Sequence, residues 1–430
     1  MFDIQKRLRN VFYIILSLPA TAMGFALCVQ ISALSWILST EYGLNIEEIG
    51  LVWASGPLAG LIMQLVIGFI SDNTWFWGGR RRPFILIGGV LAALMLLCLP
   101  NLDVIQKLFG AKSLVPVALC VAMTLDLAIN LGFNPTRSII TDVTPEGKAR
   151  TKGYTWMQTV SGTFGVGAYF IGAYINNYTL IYVGVFVVLV CSIIPVFFIK
   201  EPKILQAAAN DALELKGLNV ELPKQKVDVK ELVKIYLANA FSWIGVQTMF
   251  VFMFAYAAQI LFNNTDTSGL TEDEKNSIGK VISYSFLILN AVGAILPAFV
   301  LEPLSKKFGR IPVQSASLFI MSLGYAGIVL FGKTDMIVYL CMAIAGIGWA
   351  AIVSLPFAIM SEKVNKAKMG LFMGIFNMSI VIPQLVVSLI IAQFVNDAEN
   401  KKIIFEISAI SLFISAILWR LVKEKNIKTE

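Results

Sequence analysis

Long apolar segments, separated by short polar stretches, run along almost the whole chain. About 20 consecutive apolar residues are enough to cross a bilayer as a helix. The pattern therefore predicts twelve membrane-spanning helices. They are predicted over residues 11–39, 46–70, 83–101, 113–135, 153–176, 179–199, 231–262, 278–301, 311–331, 335–360, 369–395 and 403–422. The first apolar run continues past signal-peptide length, so we interpret it as a retained span.

Composition supports an all-α membrane protein. Of the 430 residues, 57% are hydrophobic and only 14% are charged, and the mean hydropathy is +0.77. These values lie outside the range of soluble proteins. The layout predicts two pseudo-symmetric six-helix halves, residues 1–199 and 231–430, joined by a charged cytoplasmic linker, residues 200–230. The linker is either a plain tether or a regulatory segment.

The basic residues are distributed unevenly between the predicted loops. Of the 34 lysines and arginines, 27 fall on one side of the membrane if the N-terminus is cytoplasmic. The seven in predicted outer loops are Lys107, Lys112, Lys275, Lys280, Lys333, Lys401 and Lys402. Cytoplasmic loops are the basic ones, so both termini are predicted in the cytoplasm of a multi-pass protein of the cell (inner) membrane. This distribution accounts for the net charge of +7, because the basic loops would then lie against the anionic lipids of the inner leaflet. We expect no nucleic-acid partner.

Residues for enzyme chemistry are scarce. The chain has no histidine, and its five cysteines fall in apolar segments without metal-ligand spacing. No nucleotide-binding loop or nucleophile dyad stands out. We therefore expect no enzyme, no metal and no cofactor. Any proton transfer must use carboxylates, because histidine is absent.

Asp126 lies near the middle of the fourth predicted span, in the stretch VALCVAMTLDLAINLGF. A carboxylate at the centre of a membrane helix costs about 2.5–3.5 kcal/mol on insertion scales. The residue is therefore a candidate proton-coupling site, and the alternative is a structural acid that hydrogen-bonds within the bundle. Asn130 follows four residues later and shares a helix face with Asp126.

Arg137 follows Asp126 by eleven residues, which is about 16 Å along a helix. The two side chains therefore cannot pair within one straight helix. We expect Arg137 to serve a cytoplasmic gate, with Asp142 or Glu362 as its partner. The alternative is an interfacial arginine whose side chain reaches the lipid headgroups.

A basic turn follows the second predicted span. Asp72 precedes Gly78-Gly79-Arg80-Arg81-Arg82-Pro83, and a similar basic turn, residues 305–310, follows the eighth span. A carboxylate and an arginine cluster can join two helices through charge-assisted hydrogen bonds. We interpret Asp72, Arg80, Arg81 and Arg82 as gating residues, and the alternative is charge anchoring at the inner leaflet.

Polar side chains within other spans are candidates for contacts with a polar solute. An amide can hydrogen-bond a hydroxylated ligand in a cavity, and a tryptophan can stack on a sugar ring. Packing and helix–helix hydrogen bonds are the alternatives. The substrate-binding candidates are Asn130, Gln158, Asn290, Trp349, Asn377 and Gln384, with Gln64 and Gln247 as weaker ones.

Three motifs together resemble a known family. Residues 53–64 with Gly68 and Ser71-Asp72, the Arg80–Arg82 turn, and the fourth-span set Asp126, Asn130, Pro135 and Arg137 are similar to the sucrose transporter branch of the glycoside–pentoside–hexuronide:cation symporters. Asn377 to Gln384 is similar to the eleventh span of that family. The resemblance implies the major facilitator fold and uptake of a disaccharide or glucoside coupled to protons. It also implies that Asp126 is the protonation site and that Arg137 is a functional arginine.

The chain departs from this family at one point. Plant members carry a histidine near the outer end of the first span, where this chain has residues 35–42 without one. Maltose and other glucosides therefore stay open besides sucrose.

We expect a monomeric transporter that takes a sugar and a proton as partners and lies in the lipid bilayer. Sodium coupling, sugar export and a non-transporting sugar sensor are the alternatives.

Overall fold

A computed structural model describes most of the chain. The described residues are 5, 7–44, 52, 60, 63, 66–202, 228–263, 271–365 and 368–423. Most of the second predicted span, Gln64, the motif at 53–59 and the greater part of the linker lie outside them. The described residues form helices joined by short turns, and they group into two compact units. The predicted all-α class is confirmed.

The first unit comprises residues 1–227 and 364–375, as far as they are described. Its helices are α1 Asn10–Thr40, α2 Arg82–Cys98, α3 Leu102–Phe109, α4 Val115–Val143, α5 Lys148–Tyr174 and α6 Asn177–Phe198. Helix α1 packs against α4, α5 and α6, and α2 packs against α4 and α6. Small residues allow these close approaches: a Cβ on Gly89 would lie 1.9 Å from Ser192 Oγ.

The second unit comprises residues 228–363 and 376–430, again as far as described. Its helices are α7 Val229–Tyr256, α8 Glu272–Leu296, α9 Glu302–Phe308, α10 Arg310–Phe331, α11 Asp335–Ile352, α12 Leu355–Ser361, most of α13 Met369–Val386, α14 Ala392–Asp397 and α15 Ile403–Arg420. Single π-helical turns follow α7, α8 and α13, at Ala257–Leu261, Pro297–Leu301 and Val387–Ile391. Division of the sequence at 199 and 231 stays a prediction.

Several helix ends differ from the predicted ones. Helix α2 continues through a 3-10 turn into α3, so the structure extends beyond the predicted end at 101. Helix α4 runs through Pro135 to Val143, where the prediction stopped at 135. Proline removes one backbone hydrogen bond, and membrane helices accommodate this through neighbouring polar groups.

The tenth predicted span is broken near its inner end. Helix α11 ends at Ile352 and α12 begins at Leu355, with Pro356 in its first turn. Proline lacks the backbone N–H that a helix interior needs but is tolerated in the first turn, so a new helix begins at this point.

Ten described helical segments are long and apolar enough to cross a membrane. Helix α5 is not among them, because threonine, serine and glycine interrupt its apolar sequence. Many large apolar side chains on these segments are exposed, including Phe186 and Phe299. Such a surface suits lipid as the surrounding solvent.

Candidate functional site

Asp126 lies in α4 within the first unit and contacts the first helix. Its Oδ1 accepts a hydrogen bond from Gln30 Nε2 on α1 at 3.0 Å. The carboxyl is half-buried, and Gln30 is 1% exposed. A titratable acid thus lies between two apolar helices. Its charged form is unfavourable in free energy there, and its neutral form is much less so. Sequence reasoning missed Gln30, whose partner could not be identified without the packing of α1 on α4.

Asn130 lies one turn after Asp126 on the same helix. Its Nδ2 donates to the backbone carbonyl of Asp126 at 2.8 Å. Gly60 of the second predicted span lies close by, since a Cβ on it would be 3.1 Å from Asn130 Nδ2. Gln158 lies half-buried on α5. The side chains of Asn130 and Gln158 are both half-buried, so part of their surface is accessible to a ligand.

Aromatic rings surround Trp349 in the second unit. The indole Nε1 of Trp349, on α11, donates to Asn290 Oδ1, on α8, at 3.2 Å. Trp243 and Phe250 of α7 meet the indole edge to face, with ring centroids 5.9 and 5.6 Å away. The structure thus brings together two predicted residues, Asn290 and Trp349. It adds the two aromatic neighbours, which the sequence analysis did not single out.

Two further amides meet beside this aromatic group. Gln384 Nε2 on α13 donates to Gln247 Oε1 on α7 at 3.3 Å. Gln247 lies four residues after Trp243 and three before Phe250, so these side chains share one face of α7. Asn377 precedes Gln384 by two turns and is half-buried. Ring faces and amides are the groups that bind sugars, through stacking and hydrogen bonds to hydroxyls.

The predicted gating residues form a buried ion network in the first unit. Arg81 is fully buried, and its guanidinium binds Asp72 and donates to Ser71. The Asp72 carboxylate also accepts from the backbone N–H groups of Gly370 and Leu371 at 2.9 and 2.8 Å. These two residues lie in the first turn of α13. The free N–H groups and the helix dipole favour a negative charge at this end of a helix. The geometry is that of a carboxylate cap.

Arg80 and Arg81 also share the carboxylate of Asp142. Asp142 Oδ2 lies 2.8 Å from Arg80 Nη2 and 3.1 Å from Arg81 Nε. Burial lowers the pKa of Arg81, but the carboxylates of Asp142 and Asp72 outweigh burial, and the net pKa is raised. The Arg81 guanidinium is therefore always charged. The structure thus joins four of the predicted gating residues in one network.

Arg82 binds a residue that sequence reasoning missed, Glu201. The carboxylate of Glu201 accepts from the backbone N–H groups of Arg80, Arg81 and Arg82, each at 2.8 Å, and lies 3.5 Å from Arg82 Nε. It caps the start of α2 from the end of α6. An acid directly after the sixth apolar segment was the available signal, because helix N-termini favour negative charge.

The remaining two gating candidates have other surroundings. The guanidinium of Arg137 lies 5.3 Å from the ring centroid of Phe133, and Tyr154 donates to its carbonyl at 3.0 Å. In the second unit Glu362 binds both Nη atoms of Arg310, at 2.7 and 2.6 Å. Arg310 belongs to the second basic turn, so each unit has a buried arginine–carboxylate pair. Pairing of Arg137 with Asp142 or Glu362 stays a prediction.

Comparison with known families and sequences gives matches over most of the chain. The model of the Major Facilitator Superfamily matches residues 16–388. A sucrose transport protein of Arabidopsis thaliana is 26% identical over 87% of this chain and 82% of its own length. A sucrose transport protein of Oryza sativa subsp. indica is 24% identical over 86% of this chain and 84% of its own.

Solved structures give the same fold at low identity. The transporter FucP in its outward conformation has a TM-score of 0.71 and 14% identity, covering 97% of this chain and 99% of FucP. The proton:xylose symporter XylE, bound to 6-bromo-6-deoxy-D-glucose, has a TM-score of 0.65 and 14% identity, covering 97% of each chain. These likenesses confirm the predicted fold.

Proposed function

The chain belongs to the Major Facilitator Superfamily, and we propose that it is a proton-coupled importer of a disaccharide or glucoside. The observation that carries the proposal is Asp126, a carboxyl group inside a membrane span that is hydrogen-bonded to a buried amide. Intramembrane acids are rare and typically belong to ion or proton pathways. The sucrose transport proteins to which the chain is similar support a sugar as the second solute.

Coupling follows from the cost of charge in the span. Ionised Asp126 resists movement into an occluded, water-poor state, whereas protonated Asp126 does not. Sugar binding and protonation then favour one another, because each stabilises the state that the other requires. A membrane potential adds about 2.3 kcal/mol per proton per 100 mV toward uptake. Asp126 is the proton carrier in this scheme.

The sugar contacts come from the aromatic and amide groups. Trp349 offers a ring face that Asn290 holds in place, and Gln247 and Gln384 offer donors and acceptors. In the first unit Asn130 and Gln158 offer amides for sugar hydroxyls. A site built to hydrogen-bond hydroxyls discriminates strongly against ligands that lack them.

The gating network and the placement in the cell complete the proposal. We assign the ion network of Asp72, Arg80, Arg81 and Asp142 to a cytoplasmic gate, and Arg137 to the same gate. The protein lies in the cell (inner) membrane as a monomer, with both termini in the cytoplasm, because the lysines and arginines concentrate in the loops on that side.

The test is transport by purified protein in liposomes. Radiolabelled sucrose and maltose are offered with an inward proton gradient, an inward sodium gradient or neither. We expect the proton gradient to drive accumulation. Asp126→Asn should abolish accumulation and retain sugar exchange across the membrane.

The matched control is Asp103→Asn, which changes an exposed acid paired with Lys107 at 3.5 Å. It should transport like the unchanged protein, since exposed ion pairs contribute about 0–1 kcal/mol. Proton-driven accumulation by the Asp126→Asn variant would refute the coupling role of Asp126. Accumulation driven by the sodium gradient in the unchanged protein would make sodium the coupling ion instead of the proton.

A further inference from the structure

Gln30 combines complete burial with an unused hydrogen-bond acceptor. Its Nε2 donates to Asp126 Oδ1 at 3.0 Å. Its Oε1 is buried and has no hydrogen-bond partner among the described residues. Buried polar atoms are almost always paired, so an unpaired carbonyl oxygen beside a titratable acid needs an explanation.

The protonation state of Asp126 supplies one. An ionised carboxylate only accepts hydrogen bonds. It can therefore accept from the amide NH₂ of Gln30, but it has no proton to donate to Gln30 Oε1. A protonated carboxyl carries an O–H donor. A primary amide and a carboxylic acid, both planar, can then join through two hydrogen bonds, N–H to C=O and O–H to C=O. We propose that Gln30 is a positioning residue that holds Asp126 in its protonated form by closing this acid–amide pair.

Hydrogen bonding to Gln30 differs little in strength between ionised and protonated Asp126. The difference between the two states then depends on whether Gln30 Oε1 has a donor. A charge-assisted bond is roughly twice as strong as a neutral one. The single bond to the ionised acid and the two bonds to the neutral acid are therefore similar in strength. The ionised state additionally leaves Gln30 Oε1 desolvated without a donor, which is unfavourable in a buried site. Gln30 should therefore favour protonation.

The other charged groups of the surrounding helices lie near helix ends. Helix α4 packs against α1, α2, α3 and α5, and α1 also packs against α6. Besides Asp126, the titratable and charged side chains on these helices are Tyr13, Cys28, Arg82, Cys98, Asp103, Lys107, Cys120, Arg137, Asp142, Lys148, Arg150, Lys152, Tyr154, Tyr169, Tyr174, Tyr178, Tyr182 and Cys191. Of the acids on these described helices, Asp126 is the one that lies mid-helix and next to Gln30.

The first test measures proton dependence, and it rests on the proposed function. Gln30→Met removes both amide groups at nearly constant size. With sugar saturating, half-maximal uptake in liposomes should require about fivefold more protons, the equivalent of one net hydrogen bond. A Gln30 that merely donates to the carboxylate would give the opposite shift. Where Gln30→Met fails to fold, Gln30→Asn withdraws the amide by one methylene and should shift uptake in the same direction.

The matched control is Gln314→Met in the second unit. Gln314 is also fully buried, and neither of its side-chain polar atoms has a partner among the described residues. The same substitution should leave proton dependence unchanged, since no titratable role is assigned to it. A similar shift in both variants would assign the effect to general loosening of the fold and overturn the proposal.

The second test is independent of transport. Difference infrared spectra on lowering the pH should contain a C=O band of protonated Asp126, identified by its absence in Asp126→Asn. In Gln30→Met the band should move to higher frequency, because the carbonyl loses its hydrogen bond. Without an Asp126 band the proposed function itself fails. With the band present but unmoved by Gln30→Met, or with only the sugar KM changed, the inference about Gln30 alone fails.

Discussion

Several neighbours fix the position of Trp349 in the second unit. Asn290 accepts its N–H bond, and Trp243 and Phe250 approach its ring. Gly293, one turn after Asn290 on α8, leaves space for the indole: a Cβ there would lie 2.5 Å from Trp349 Cδ1. That distance is too short for any real contact, so even a methyl group must displace the ring.

Gly293→Ala is therefore expected to weaken sugar binding without affecting the proton site. A displaced aromatic contact is worth about 0.5–1.5 kcal/mol, so the sugar KM should rise roughly two- to tenfold. Concentration-dependent uptake in liposomes measures this, at a proton concentration that saturates transport. Gly167→Ala is the control, since a Cβ there has nothing within 4 Å. An unchanged KM in Gly293→Ala would remove Trp349 from the sugar site.

At the residue scale the sequence predicts side chains with unusual positions but not their partners. Asp126 stands out because a charge inside an apolar segment is visible along the chain. Gln30, about a hundred residues earlier, is one amide among several until α1 packs on α4. Trp349 and Asn290 are predicted separately, and their hydrogen bond depends on the approach of α8 to α11.

Element boundaries are less predictable than the elements themselves. Hydropathy locates the apolar spans, because burial in lipid requires about 20 apolar residues. It misses the continuation of α4 to Val143, since the polar last turns of that helix are stabilised by tertiary contacts such as Asp142 with Arg80. It also misses the capping of α2 by Glu201, which comes from the end of a different span.

The cap on α2 yields a stability prediction. Glu201→Ala leaves three N–H groups at the start of the helix, and the guanidinium of Arg82, without their carboxylate. Losing such a cap should lower the stability by about 1–3 kcal/mol, which thermal unfolding in detergent would detect as a lower Tm. Asp103→Ala should leave the Tm unchanged because its ion pair is exposed. Equal Tm values for both variants would contradict a capping role.

On the scale of the whole molecule, charge and hydropathy predict a membrane orientation. The ten apolar spans identified among the described helices need lipid around their exposed aromatic and aliphatic side chains. The lysines and arginines concentrate in the loops on one predicted side. Orientation affects function directly, because a proton gradient drives uptake only if Asp126 is reached from the outside first.

The orientation itself can be tested with single cysteines in a variant that lacks the five native ones. Lys112→Cys lies in a predicted outer loop between α3 and α4, and Lys307→Cys lies in the predicted cytoplasmic basic turn after α8. Both lysines are exposed, so burial does not limit their reaction. A membrane-impermeant thiol reagent added to intact cells should label the first and spare the second until the cells are opened. The reverse pattern would place the basic loops outside, against the strong preference of lysine and arginine for the cytoplasmic side, and would make the proton gradient a driving force for export.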